Sequence, residues 1–206
     1  MNIEKSFVGL SWFFNYWSMF IENQLRFAEI HDSNIRNSKI LIISPPTDRG
    51  IAILTRANAN GESYLLCFSA MIERIAQRYS QKQRISNLKT CTAEFFGIPF
   101  ADSYFDVIFA NCFFDFCRES DFDKVIREIK RTLRKKGLLF SIYMDFSSRL
   151  GEEVWLGLFK ILPWLSRGCH PVDITPCLIK RSFRIKKDVS VRKFGFPMKY
   201  IIAEKS

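Results

Sequence analysis

Histidine is almost missing from this chain: its 206 residues include only His31 and His170. The six cysteines (Cys67, Cys91, Cys112, Cys117, Cys169 and Cys177) lie scattered and never form a Cys-x-x-Cys pair. With so few imidazoles and no paired thiols, neither a zinc ribbon nor a dithiol redox centre can be assembled, and no metal is expected. The cysteines read instead as reduced, buried thiols of an intracellular protein. No uninterrupted apolar run approaches the ~18 residues that a membrane span needs. Met1–Lys5 begins with a charge, but no small-residue cleavage site follows, so no signal peptide is read and a cytoplasmic protein is expected. Glycine is scarce where it would matter most. The turn Ser44-Pro45-Pro46-Thr47-Asp48-Arg49-Gly50 holds a single glycine, late in the turn, which excludes a glycine-rich dinucleotide cradle.

What is present suits one globular domain with a full core: 48% hydrophobic and 25% charged residues. The net charge of +10 is uneven. Between Lys180 and Ser206, nine Lys or Arg face only Asp188 and Glu204. Such a tail is either the solvated face of a β-hairpin or a surface for an anionic partner such as a membrane. No aromatic-basic motif accompanies it, so nucleic acid is not expected.

Residues 7–30 are apolar on every face of a helix and unusually aromatic, with Trp12, Phe13, Tyr16, Trp17 and Phe20 at their centre. An exposed helix keeps one polar face. This stretch therefore reads as a helical cap over residues 1–34, either a lid over a lipophilic substrate or an interface for another subunit.

Downstream the pattern alternates between strand and helix, the signature of a parallel α/β sheet. Lys39–Ile43 is a first strand, and a helix follows from Ile51 to the Asn58–Gly61 breaker. Ser63–Phe68 is a second strand, with Ser69 placed to cap the next helix. The stretch Leu88–Asn111 reads as a short strand, an exposed turn at Pro99–Ser103, and a strand around Val107–Ala110 covered on both faces. Asp106 opens that strand and Asn111 ends it. Leu138–Tyr143 is a fifth strand after a Lys136-Gly137 turn. An amphipathic segment spans Val154–Leu165. The short pieces Ser182–Ile185 and Val189–Val191, followed by Gly195–Lys205, suggest a closing hairpin.

The residues Glu94, Ile98-Pro99-Phe100 and Tyr104-Phe105-Asp106, followed by the helix, glycine turn and strand of Asp123–Leu139, resemble the class I S-adenosylmethionine (SAM)-dependent methyltransferases. The type-11 group that includes quinone-biosynthesis methylases is the nearest in pattern. The resemblance covers roughly residues 36–145 and implies a Rossmann-like α/β sandwich. Its sheet would be seven-stranded and mostly parallel, with an antiparallel C-terminal hairpin. The chain would then comprise the cap (1–34), a Rossmann-like core (36–145), and a substrate-side insertion with the hairpin (146–206).

The resemblance also implies positions for a SAM site, several of them departing from the family pattern. Ser44, Pro46 and Gly50 stand in the turn where the family places glycines. Ile42 replaces an acid within the first strand. Cys67 stands where an acidic residue grips both ribose hydroxyls, and a thiol cannot do that. Glu94 keeps the acidic type and would meet the adenine amino group, or else caps a nearby helix. Phe95 would flank the adenine or pack beneath the loop, and Asn111 would lie near the cofactor. The histidine often found after the fourth strand is absent, leaving His170 as the sole catalytic candidate, with a structural turn as its alternative.

Three functions remain open from the sequence. The chain is a degenerate methyltransferase-like subunit that supports an active methyltransferase, an active SAM-dependent methyltransferase for a small lipophilic acceptor, or a module whose basic tail meets an anionic surface.

Overall fold

A computed structural model describes residues 34–93, 97–145, 157, 161, 169–193 and 196–206. Strand β1 (Lys39–Ile43) is followed by helix α1 (Arg49–Ala57), β2 (Glu62–Cys67), α2 (Ala70–Lys82) and β3 (Leu88–Thr92). Then come β4 (Phe105–Asn111), a 3-10 turn (Phe114–Phe116), α3 (Glu119–Thr132), β5 (Leu133–Met144), α4 (Thr175–Lys180), β6 (Phe183–Lys193) and β7 (Phe196–Lys205). The aromatic residues Trp12, Phe13, Tyr16, Trp17 and Phe20, and the cofactor positions Glu94 and Phe95, lie outside the described residues. So does most of the amphipathic segment 154–165.

The seven strands form one sheet in the order β3-β2-β1-β4-β5-β7-β6. Five are parallel, and β7 enters antiparallel between β5 and β6. The order reverses between β1 and β4, and open α/β sheets bind their ligands in the crevice at the carboxyl ends of the strands at such a point. β1 and β4 are central because both their faces are apolar. Ile40, Leu41, Ile42 and Ile43 are buried, as are Val107, Ile108, Phe109 and Ala110. In register, Ile40 faces Val107 and Ile42 faces Phe109. Phe109 stacks on Phe140 of β5 at 5.1 Å, and the row continues to Tyr200 of β7. Helix α1 covers this sheet with Ile51, Ala52 and Leu54, and α3 with Phe122, Val125, Ile126 and Ile129.

Local signals set the element boundaries. Asp48 caps α1 by accepting from the Gly50 amide at 2.8 Å, and Ser69 caps α2 by accepting from Ile72. Asn58 closes α1 and ties its end to the first strands. Its amide nitrogen donates to the Ser38 carbonyl at 2.9 Å and to Ser63 Oγ at 3.2 Å, while its oxygen accepts from the Ser38 amide at 3.0 Å.

Three expectations need correction. β2 lies one residue earlier than Ser63–Phe68, which leaves Phe68 just beyond the strand's end. The Lys136-Gly137 turn is not a boundary. β5 already pairs at Leu133 with Phe105 and absorbs Lys136, at φ 59°, as an irregularity before Leu138. The pieces Ser182–Ile185 and Val189–Val191 are one continuous strand, β6, whose register shifts between Ile185 and Lys187.

Candidate functional site

The crevice lies over the C-terminal end of β1, between the ends of β2 and β4. Its floor is the turn 44–50. Ser44, Pro45 and Pro46 are buried, and the two prolines carry no amide hydrogen. The Asp48 amide donates to the Pro45 carbonyl at 3.0 Å, the Gly50 amide is taken by the Asp48 carboxylate, and the Ile51 amide donates to the Asp48 carbonyl at 3.1 Å. A helix N-terminus beside a nucleotide crevice ordinarily points such donors at a ligand. Here the turn uses them on itself.

Cys67 ends β2 fully buried, with its thiol directed at the Leu65 carbonyl 3.8 Å away. Burial pushes this thiol up to about 12, and the neighbouring Cys91 and Glu73 add to the rise. The group is therefore neutral at physiological pH and a weak donor. Neither nearby acid replaces it. Glu73 accepts from Thr90 Oγ1 at 2.8 Å and Thr92 Oγ1 at 2.7 Å, which holds its carboxylate on β3. Glu62 lies at the opposite end of β2, where Tyr64 and Lys89 bind it.

The walls are aromatic. Phe68 follows the end of β2, Phe113 follows the end of β4, and their rings stack with centroids 5.6 Å apart at 21°. Both strands flank β1, and adjacent strands lie ~4.8 Å apart. The pair therefore reaches across the crevice mouth above β1. Phe113 packs edge-on against Phe114, and Phe114 against Phe122 of α3, so one side of the bridge continues into the core.

On the far side, Asn111 is fully buried at the end of β4, and Cys112 takes a left-handed φ of 50° as its amide donates to the Ile142 carbonyl. Asp115, buried within the 3-10 turn, accepts the Met144 amide at 2.8 Å and so locks the end of β4 to the end of β5. The Asp115 carbonyl accepts the His170 amide at 3.0 Å, and the Val172 amide donates to the Met144 carbonyl. His170 is thus brought to the crevice rim through its main chain, by a contact that any residue offers.

The structure gathers Ser44, Pro46, Gly50, Cys67 and Asn111 around one crevice, with His170 at its rim. Phe68, Phe113 and Asp115 are the participants that the sequence did not single out. The lone acid inside Phe-Phe-Asp-Phe was an available signal for Asp115, whereas the pairing of Phe68 with Phe113 depends on strand order.

Residues 48–141 match the family model described as a methyltransferase domain. The ubiquinone/menaquinone biosynthesis C-methyltransferase of Paraburkholderia phymatum is 31% identical over 147 residues, which is 66% of this chain and 56% of that relative. The chain thus spans little more than half the length of this relative. Among solved structures, a SAM-dependent methyltransferase from Aquifex aeolicus aligns with a TM-score of 0.67 at 16% identity, covering 92% of each chain. The cyclase SpnF aligns with a TM-score of 0.70 at 15% identity, covering 88% of this chain and 80% of its own. At those identities the structures speak for the fold alone, and one of them is a cyclase, so the fold by itself does not assign the chemistry. The cofactor of this family is SAM. At the positions where the resemblance placed contacts to methionine and ribose, the turn offers two prolines without amide hydrogens and Cys67 offers a neutral thiol. The matched segment and the curated relative together identify residues 48–141 as a methyltransferase domain of the class I SAM-dependent type, and the strand order agrees with that fold.

Proposed function

We propose that this chain is a methyltransferase-like subunit that supports an active methyltransferase rather than turning over SAM by itself. The observation that carries the reading is the crevice over β1, where Phe68 and Phe113 stack across the space between β2 and β4. Beneath them, the amides of Asp48, Gly50 and Ile51 are engaged within the turn. A charge-assisted contact such as the missing ribose grip contributes ~1.5–3 kcal/mol, so its loss alone weakens SAM binding by one to two decades. The aromatic stretch around Trp12–Phe20 then serves as the surface that meets the partner, since Trp, Tyr and Phe concentrate at such interfaces. The active site next door performs the methyl transfer.

A second reading has its own support. The curated relative is a ubiquinone/menaquinone biosynthesis C-methyltransferase, and the crevice here is bordered by the aromatic pair Phe68 and Phe113. Methyl transfer from a sulfonium requires mainly in-line positioning in a fitted pocket, so an apolar crevice suits a small lipophilic acceptor. The test is co-expression with the other methyltransferases of the same genome, followed by sizing and transfer of a labelled methyl group from SAM. The proposal expects a stable pair that transfers methyl and a lone chain that does not. Turnover by the purified lone chain overturns it in favour of the second reading.

A further inference from the structure

We propose that a cationic groove at the end of the sheet opposite the crevice binds a phosphoryl group. The groove encloses about 380 Å³ between the C-terminal half of α3, the turn after α4 and the end of β7. Its position follows from the topology. β5 starts at Leu133, β7 runs antiparallel to it, and Lys205 reaches back to donate to the Leu133 carbonyl at 2.6 Å.

Two kinds of cation line it. The arginines are already neutralised: Arg131 binds Glu128 and Asp102, while Arg127 and Arg181 share Asp123. Lys130, Lys180 and Lys205 make no direct ion pair among the described residues, although Asp123 lies near enough to Lys180, and Asp102 to Lys205, to act through space. Lys130 donates to the Arg181 carbonyl and Lys205 to the Leu133 carbonyl, both of which are uncharged. An ammonium has three N–H donors, so each of the two keeps a pair of donors for a ligand. Burial, and then the positive charge of Lys130, lower the affinity of Lys205 for its proton, and Asp102 offsets this only in part. Two cations are therefore held close enough to repel, and an anion placed between them relieves that repulsion. A phosphoryl group carries about −1.5 to −2 charges and three acceptor oxygens, which matches three lysines without a direct ion pair better than a monovalent carboxylate does. Ser182, at φ 59°, completes the lining. The groove shares no residue with the crevice, so this inference stands independently of whether the chain binds SAM.

The probe is inorganic pyrophosphate, titrated calorimetrically into the full chain at low salt. Lys180→Gln removes an exposed lysine without touching a structural bond, and Lys130→Gln/Lys205→Gln removes the facing pair. Arg184→Gln/Lys186→Gln, on the edge strand β6, removes two charges elsewhere. Saturable binding is expected, weakened about tenfold by Lys180→Gln and further by the double variant, but less than about twofold by the β6 control. If the facing-pair variant fails to fold, Lys180→Gln alone decides. No saturable binding, or equal losses in groove and control variants, overturns the proposal. Cosedimentation with phosphatidic acid vesicles that Lys180→Gln abolishes assigns a lipid headgroup. Pyrophosphate binding without cosedimentation assigns a soluble phosphate ester, and either result upholds the groove.

Discussion

Asn58 shows how one residue can organise a region. Fully buried, it satisfies both the amide and the carbonyl of Ser38 just ahead of β1, and also reaches Ser63 in β2. Asn58→Ala would strand those buried groups, so a loss of about 2–3 kcal/mol is expected in urea unfolding. Asp123 carries the pH dependence most plainly. Hydrogen bonds from Arg181, and secondarily from Arg127, hold its carboxyl at about 2, against an ordinary 3.8. A depressed folded-state value means that the contribution is complete above pH 3.8 and is lost as pH falls through about 2. Acid unfolding of wild type and Asp123→Asn should therefore differ by a constant amount near neutrality, and the gap should close as pH approaches 2. A gap unchanged down to that pH would show that the carboxylate's charge plays no part. Salt should narrow the gap too, because the pair is partly exposed. Asn58 and Ser69 were legible in the sequence as helix boundaries, since their chemistry is local, whereas the Asp48 cap, which starts its helix at Arg49 rather than Ile51, was not singled out. Phe68 and Phe113 were not legible as partners, because strand order alone brings them together.

Among the elements, β1 was readable to the residue because a run of four aliphatic side chains after Lys39 admits few alternatives. β5 and β6 were harder. Their irregularities at Lys136 and between Ile185 and Lys187 mimic boundaries, since a left-handed residue before a glycine looks the same in sequence whether it ends a strand or bulges within it. Gly137 is required at that bulge. A Cβ there would lie 2.8 Å from the Arg134 carbonyl and 2.8 Å from the Leu133 side chain. Gly137→Ala should cost about 1–3 kcal/mol through this overpacking, measured as a lowered midpoint of thermal unfolding. An unchanged midpoint would mean that the strand relaxes there freely. The crevice depends on the same economy of short elements. The one-residue offset of β2 places Phe68 outside the strand and over β1, where it can stack on Phe113.

At the scale of the whole molecule, the sheet order and its antiparallel end follow the family, and the family likeness was legible from the 94–106 signature and the helix–strand that follows it. The activity was not. Turn amides, a neutral thiol and an aromatic bridge decide whether the crevice accepts a nucleoside, and only the first two left traces in the sequence. The fold's two ends also differ in charge chemistry, with neutral and aromatic groups around β1 and lysines without direct ion pairs around Lys205. The most direct measurement is the thermal stability of the isolated full chain over a titration of S-adenosylhomocysteine. A ligand at 100 times its dissociation constant stabilises its protein by ~2.7 kcal/mol, a shift that is easily seen. The account predicts no rise in midpoint for the lone chain at concentrations that saturate active methyltransferases. A saturable rise would contradict it, and would make the Ser44–Gly50 turn and the Phe68–Phe113 bridge parts of a working cofactor site.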